Sequence, residues 1–179
     1  RRFVPLTPFR EDACSEDVDF SDTGATLAQT PNLAPNASFE APGADGTGAA
    51  GWAFSSSAAD RTFELDATAG RVLDGKRSAR LSGGEEGWSE LVSAPVEVNR
   101  DDEYVASVCY HFEGEGQPQL RLIGGDGQEL LQLDLFRDVA PYPWLREELR
   151  LRPGMWRGAR AKTARVAVRL YGQGDLWVD

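Results

Sequence analysis

The sequence is dominated by short segments in which apolar and polar residues alternate, separated by glycine-rich turns. Alternate positions from Tyr104 to Phe112 form one apolar face, and Val166, Val168 and Leu170 repeat the pattern. Period-two alternation places successive side chains on opposite faces of a strand. Because no long segment has a 3.6-residue period, the pattern predicts an all-β, antiparallel two-sheet β-sandwich. A jelly roll is the specific form that we expect.

Turn chemistry adds local detail to this prediction. The segments 119–123 and 129–135 flank the sequence Gly-Gly-Asp-Gly at 124–127, which is typical of a β-hairpin. Only the stretch 143–151 hints at a helix, and prolines bound it on both sides.

Length and charge limit the function classes. A chain of 179 residues fits one domain with a substantial core. The net charge of −10 disfavours binding to nucleic acid or to anionic lipid, since both require clustered Lys and Arg. No run of about 18 apolar residues is present, so we expect no membrane insertion within the sequence.

The first 31 residues differ from the rest. They combine prolines, an acidic run and three phenylalanines without a regular period, which favours a partly packed lead or a linker. Residues 32–179 are then the β-sandwich domain. A disulfide between Cys14 and Cys109 would tie the lead to the sandwich, and the sequence leaves that pairing open.

Four segments occur in an order that points to a known family. They are Asn32–Glu40 followed by Gly51-Trp52, then Asp74–Ser82, Tyr104–Ser107 and Leu176–Asp179. In order and spacing they resemble the motifs of carbohydrate-binding modules of the family 4/9/22 type. The resemblance covers essentially everything after the lead, and it implies a galactose-binding-like jelly roll.

The resemblance also implies a structural calcium ion. The matching positions are Glu40, Asp74, Lys76 and Asp179, with backbone carbonyls contributing near residues 74 and 76. Calcium takes six to eight oxygen ligands, which carboxylates and carbonyls supply. The alternative is that these residues are ordinary polar side chains at strand ends.

Sugar binding requires flat aromatic surfaces with polar groups beside them. Trp52 and Trp177 lie inside the family-like motifs, so we expect both in the core. The candidate sugar-binding side chains are three platforms and a polar sheet face: Trp88, Tyr142, Trp144, His111, Arg121, Gln132, Asp134 and Arg169. The alternative for that face is a solvated surface with cross-strand ion pairs, such as Arg121 with Asp134.

Catalysis has little support in the sequence. His111 is the only histidine, and no Gly-x-Ser-x-Gly motif is present to supply a nucleophile. We therefore expect a non-catalytic module that brings a larger extracytoplasmic protein to a polysaccharide or oligosaccharide. The alternative is a structural or protein-interaction sandwich without sugar binding, in a larger cell-surface or membrane-anchored protein, which would contact other domains of its parent chain. The third hypothesis is a hydrolase or lyase, which would need two carboxyl groups close together in a groove.

Overall fold

The computed structural model describes residues 4–5, 32–46, 48–136, 144–153 and 162–179. Within these ranges the chain forms β-strands joined by turns, and no α-helix. The strands are β1 (Val4–Pro5), β2 (Trp52–Ser56), β3 (Thr62–Asp66), β4 (Ser78–Gly83), β5 (Trp88–Ser93), β6 (Val96–Glu97), β7 (Tyr104–Gly114), β8 (Gln117–Gly124), β9 (Glu129–Asp134), β10 (Leu145–Leu151), β11 (Thr163–Tyr171) and β12 (Gly174–Val178).

The strands form two sheets of six. Sheet I has the order β7-β12-β4-β3, and β1 and β10 also pair with β7. Sheet II has the order β2-β5-β11-β8-β9, and β6 also pairs with β11. Every pairing is antiparallel except the short parallel contact of β1 with β7. This arrangement confirms the predicted all-β, two-sheet jelly roll.

The core lies between the inward faces of the two sheets. Leu81, Val108 and Leu176 come from sheet I, Leu120 and Val168 come from sheet II, and all are fully buried. The alternation predicted for β7, β8 and β11 therefore describes the core correctly. Burying a side chain of this size contributes roughly 1.5–3 kcal/mol.

The segment that hinted at a helix is a strand. β10 runs antiparallel to β7, with Leu145 opposite Tyr110 and Leu151 opposite Tyr104. The helix hint was wrong because Leu145 and Leu149 are four residues apart, a spacing that fits one face of a helix and one face of a strand alike. The polar Glu147 between them hid the period-two pattern.

The hairpin prediction is confirmed. β8 and β9 pair across the turn at 124–127, with a bulge between Leu122 and Ile123. Trp52 packs against the core as expected, 5.0 Å from the Phe39 ring, and its Nε1 donates to the carbonyl of Pro35.

Two residues of the lead belong to the sandwich, since Val4 and Pro5 pair with Ala106 and Ser107 of β7. Most of the lead, including Cys14, lies outside the described residues, so the domain boundary stays a prediction and the pairing of Cys14 with Cys109 stays open. In the part of the chain that the structure describes, no helix is long and apolar enough to cross a bilayer.

Candidate functional site

The outward face of sheet II carries most of the predicted polar side chains. Because Leu120, Leu122, Val168 and Leu170 point into the core, the residues that alternate with them point outward. We call this surface the outer face of sheet II. Its polar and aromatic side chains include Trp88, Glu90, Gln119, Arg121, Glu129, Gln132, Asp134, Arg169 and Tyr171.

A buried carboxylate organises the centre of this face. Glu90 is only 6% exposed. Its Oε1 accepts from Nη1 of Arg121, and from Nε of Arg169 at 2.9 Å. Arg121 also donates Nε and Nη2 to Oε2 of Glu129, at 2.8 and 2.5 Å. Burial alone would lower the pKa of Arg121, but the bonds to Glu129 and Glu90 raise it, so the guanidinium stays charged.

A small residue makes the contact between Arg121 and Glu90 geometrically accessible. Arg121 lies on β8 and Glu90 on β5, and β11 separates the two strands. The residue of β11 directly beside Arg121 is Ala167, which is itself completely covered. Its single methyl group leaves space for the guanidinium to pass over β11 to Glu90.

Arg169 connects this charge network to two aromatic rings. Its guanidinium carbon lies 4.5 Å from the ring centre of Trp88 and 5.3 Å from that of Tyr171. Nη1 donates to the Tyr171 hydroxyl at 2.7 Å. Tyr171 is 37% exposed and Trp88 is half-buried. The predicted platform Trp88 is therefore partly covered by Arg169, and Tyr171, which sequence reasoning missed, is the more open ring.

The amide of Gln119 completes the outer face beside Arg169. Its Nε2 donates to Oδ1 of Asp134 at 2.8 Å, and Gln132 Nε2 donates to the same oxygen at 3.2 Å. The alternative interpretation of this face named an Arg121–Asp134 ion pair as its example. Arg121 instead pairs with Glu90 and Glu129, because Asp134 lies opposite Gln119, whereas Arg121 lies opposite Gln132. Gln119 was not anticipated from the sequence.

One end of the sandwich is held by Arg61, which is 3% exposed. Its Nε donates to the Glu86 carbonyl at 3.0 Å, and its Nη2 donates to the Gly84 and Glu86 carbonyls at 2.8 and 2.5 Å. Weaker contacts of 3.4 Å reach the carbonyls of Leu170 and Gly172. Among the described residues, all of its partners are backbone carbonyls.

Arg61 thereby fixes the loops next to both aromatic rings. The loop 84–87 leads directly into Trp88, and Gly172 directly follows Tyr171. A β-carbon at Gly83 would collide with the Arg61 guanidinium, so a glycine at this position is required for its close approach. The sequence signal for this role is the glycine density of the loop, which alone does not identify Arg61.

Two predicted site residues lie on the other sheet. His111 belongs to β7, so it points outward from sheet I, where its ring lies 6.0 Å from Trp144 and 5.4 Å from Trp177. Arg71 covers Trp177 at 4.2 Å, contacts His111 Nε2 and pairs with Glu113 at 2.7 Å. The prediction that His111 shares a surface with the sheet II residues is wrong.

Alternation identifies a side chain that points outward, but it does not identify the sheet to which its strand belongs. This explains the error for His111. Trp144 is buried in this second cluster, so the prediction that it is an exposed platform is wrong as well. Trp177 is buried as expected, but outside the core that lies between the sheets. Tyr142 lies outside the described residues.

The predicted calcium residues meet at the segment 73–77. Glu40 Oε1 accepts from the backbone N–H groups of Lys76 and Arg77 at 2.6 and 3.1 Å. Gly75 has a φ of 75°, and a β-carbon there would collide with the same Glu40 oxygen. A glycine in this turn is therefore what lets the carboxylate reach the backbone.

Asp179 approaches the same segment from the end of β12. It is fully buried, and its Oδ2 accepts from the backbone N–H groups of Leu73 and Asp74 at 2.7 and 3.0 Å. Its pKa is raised to about 6, mainly by burial and in part by the charges of Asp74 and Glu40, while the two backbone hydrogen bonds oppose the shift. Its Oδ1 is buried and has no hydrogen-bond partner among the described residues.

These features fit a hard cation, because Asp179 Oδ1 is a buried carboxylate oxygen without a hydrogen-bond partner among the described residues, and the charges of Glu40 and Asp74 act on the same carboxyl group. Within the described ranges, no group of three or more His, Cys, Asp or Glu has the spacing of a metal site. An ion here would therefore draw part of its shell from backbone carbonyls.

Comparison with solved structures identifies the fold of this chain as a jelly-roll β-sandwich. No protein-family profile matches the sequence, and no curated protein is significantly similar to it. Solved structures share the β-sandwich. One is a family 61 carbohydrate-binding module in complex with β-1,4-galactotriose, at 15% identity over 73% of this chain and 85% of that one, with a TM-score of 0.52.

Two further structures show the breadth of the class. A family 16 carbohydrate-binding module is 11% identical over 69% of this chain and 86% of that one, with a TM-score of 0.50. A cyclase from Fischerella sp. TAU is 13% identical over 73% of this chain and 82% of that one, with a TM-score of 0.60. At identities this low, the structural similarity establishes a shared jelly roll and nothing more. The function has to be argued from the site.

Proposed function

We propose that this chain is a non-catalytic carbohydrate-binding module whose sugar site is the outer face of sheet II. The observation that carries the proposal is the placement of Arg169 between Trp88 and the exposed ring of Tyr171, anchored by buried Glu90. A sugar ring needs an aromatic surface to stack on and fixed polar groups beside it. Two carbohydrate-binding modules with the same fold support this assignment.

The state of the carboxylates supports binding without chemistry. General acid or base catalysis needs a carboxyl group that is available to exchange a proton with the substrate. Glu90 is bonded to two guanidinium groups, and Glu129 is bonded to Arg121 through two nitrogens. Asp134 accepts from two amides. The carboxylates near the aromatic rings are thus committed to structural partners.

We further propose that the module is of the family 4/9/22 type and works outside the cytoplasm. There it would bring a larger protein to a polysaccharide or oligosaccharide. The order of the four family-like motifs supports this assignment.

Replacing Tyr171 with alanine should weaken glycan binding at least tenfold, because the exposed stacking surface is lost. The matched control is Phe54→Ala, since Phe54 is 36% exposed and belongs to the core-facing side of sheet II. Isothermal titration against soluble oligosaccharides would measure both variants. Equal affinities for Tyr171→Ala and the wild type would show that the sugar does not stack on this ring.

We also propose a structural Ca²⁺ between Glu40 and Asp179, with further oxygens from the backbone near Asp74 and Lys76. Asp179 Oδ1 supports this, since the cation would satisfy an otherwise orphaned buried oxygen. The ion would join the segment before β2 and the end of β12 to the loop between β3 and β4. Its contribution would be to the stability of the fold rather than to any chemistry.

Calcium should raise the melting temperature of the wild-type chain, and EDTA should reverse the rise. At a hundredfold excess over the dissociation constant, an ion that binds only the folded state adds about 2.7 kcal/mol. Glu40→Gln should remove the calcium effect, whereas Glu64→Gln, which alters an exposed ion pair with Arg80, should retain it. Differential scanning fluorimetry with Ca²⁺ or Mg²⁺ measures this, and identical melting curves with Ca²⁺ and EDTA would refute the proposal.

The second candidate is a structural or protein-interaction sandwich on the same fold. One observation favours it: Trp144 and Trp177 are buried, and Trp88 is partly covered by Arg169, so little open aromatic surface is left. Absence of binding to a broad glycan array, with the fold intact, would select this function over the first.

A further inference from the structure

We propose that Phe136 is a second stacking platform on the outer face of sheet II, and that a linear oligosaccharide bridges it and Tyr171. The inference rests on the proposed carbohydrate-binding function and specifies its ligand class as a chain of several sugars rather than a single one. It starts from the exposure of Phe136, which at 63% is the largest among the large hydrophobic side chains that the structure describes.

The strand ladder places the Phe136 ring on the outer face. The Leu135 N–H donates to the Pro118 carbonyl at 2.9 Å, which continues the pairing of β8 with β9 beyond the end of β9. Leu135 is buried in the core, so Phe136, the next residue, points outward. The same register sets Phe136 opposite Gln117, the first residue of β8.

Phe136 and Tyr171 then lie at the same level of the sheet. Gln117 is also the register partner of Tyr171, and β11, β8 and β9 are consecutive in sheet II. Two strand spacings separate Phe136 from Tyr171, about 10 Å between their backbones. A disaccharide unit has about this length. A linear chain that crosses the strands would therefore stack one sugar on Tyr171 and the next sugar but one on Phe136.

The backbone that carries Phe136 is held by two side chains. Paired residues of an antiparallel ladder exchange two hydrogen bonds, but Pro118 has no N–H to donate to the Leu135 carbonyl. Gln117 supplies the missing donor, since its Nε2 donates to that carbonyl at 2.9 Å. The Phe136 N–H donates to the hydroxyl of buried Tyr110 at 3.0 Å. This fixed backbone lowers the ordering cost of binding.

An open hydrogen-bond acceptor lies between the two rings. Gln117 uses Nε2 for two backbone carbonyls, which can only accept, so its Oε1 is the atom that points away from them. The buried side-chain atoms without a partner, among the described residues, belong to Ser89, Gln119 and Asp179. Oε1 of half-buried Gln117 also lacks a partner there but is not one of them, so it keeps contact with solvent.

A sugar suits this arrangement better than a purely apolar partner does. The hydroxyl groups of a sugar that lies between the two rings can donate to Gln117 Oε1. Its neighbours along the chain would present their apolar faces to Tyr171 and Phe136. Aromatic surfaces with a few fixed polar groups beside them are typical of small-molecule sites.

The test compares Phe136→Ala with Phe54→Ala in the full chain. Phe54 is 36% exposed and lies on β2, the opposite edge strand of sheet II, so it is the matched control. The probes are the β-1,4-linked disaccharides and hexasaccharides of galactose, glucose and xylose. Titration calorimetry gives the affinities, and thermal unfolding gives the melting temperature of each variant.

We expect Phe136→Ala to bind the best hexasaccharide at least tenfold more weakly, and the matching disaccharide within twofold of the wild type. Two sugar units are too few to cover both rings, so the disaccharide stays at Tyr171. Phe136→Trp should retain the affinity for the hexasaccharide, because indole also stacks on sugars. Phe54→Ala should bind both ligands like the wild type.

The outcomes separate the second platform from the function. If the wild type binds neither these probes nor any glycan on an array, the proposed function fails. If it binds a hexasaccharide and Phe136→Ala binds it as tightly, the second platform alone is overturned. An equal loss for both ligand lengths overturns the bridging of the two rings. A loss that comes with a lower melting temperature, and that Phe136→Trp does not restore, makes Phe136 structural and also overturns the proposal.

Discussion

Replacing Arg61 with methionine should lower the free energy of unfolding by about 3 kcal/mol, one of the two largest effects we expect from a single substitution. The guanidinium is buried, and it donates hydrogen bonds to the Gly84 and Glu86 carbonyls at 2.8 and 2.5 Å. Methionine fills a similar volume but cannot donate, so these carbonyls would lose their partner. The loop before Trp88 would lose its anchor as well.

Urea denaturation of the two proteins measures this difference. The control is Arg150→Met, whose side chain is 61% exposed and, within the described ranges, pairs with the exposed Glu148 at 3.0 Å and more distantly with Glu103 at 3.8 Å. Such pairs contribute about 0–1 kcal/mol, so this control should be close to the wild type. Glycan affinity should also fall in Arg61→Met, because Trp88 and Tyr171 lie next to the loops that Arg61 holds. Equal stabilities of Arg61→Met and Arg150→Met would contradict this account.

The second large effect is expected for Glu90→Gln, which should cost about 3 kcal/mol because it leaves buried guanidinium groups without their shared anion. Glutamine keeps the shape of glutamate, so the change isolates the charge. Arg121 retains Glu129, whereas Arg169 loses its only carboxylate partner in the described part of the chain. The aromatic side of the outer face should therefore be affected most.

A double-mutant cycle tests this distribution. Glu90→Gln and Arg169→Met, measured singly and together by urea denaturation, give the coupling between the two side chains. The matched control is Glu148→Gln, which removes an exposed carboxylate paired with Arg150. A coupling energy near zero would mean that Glu90 serves Arg121 alone.

Sequence patterning predicts the fold because the core is built from strict alternation. The apolar faces of β7, β8 and β11 could be recognised from the sequence. The hairpin turn between β8 and β9 has the glycine content that its geometry requires. β10 was missed because two leucines four residues apart satisfy both periods. The order of the strands in each sheet depends on long-range pairing, which local patterns do not encode.

Only part of the candidate site could be predicted from the alternation of polar and apolar residues. Arg121, Gln132, Asp134 and Arg169 were correctly grouped, since alternation places all of them outward on neighbouring strands. His111 was misplaced because the sheet to which β7 belongs is a property of the whole topology.

The most informative polar groups of the site were missed. Glu90, Arg61 and Gln119 are buried, and burial of a polar side chain follows from its partners rather than from its own residue type. The Glu40 and Asp179 positions were found through family-like motifs. In the structure both carboxylates accept hydrogen bonds from the backbone of the segment 73–77.

Ala167 has a consequence that reaches beyond its own packing. A valine there would count as a mild exchange in any substitution table, and it would suit a strand well. It would also close the passage over β11 and separate one four-membered charge network into two isolated pairs, Arg121 with Glu129 and Arg169 with Glu90. The small side chain of Ala167 thus determines whether Arg121 and Arg169 can both pair with Glu90.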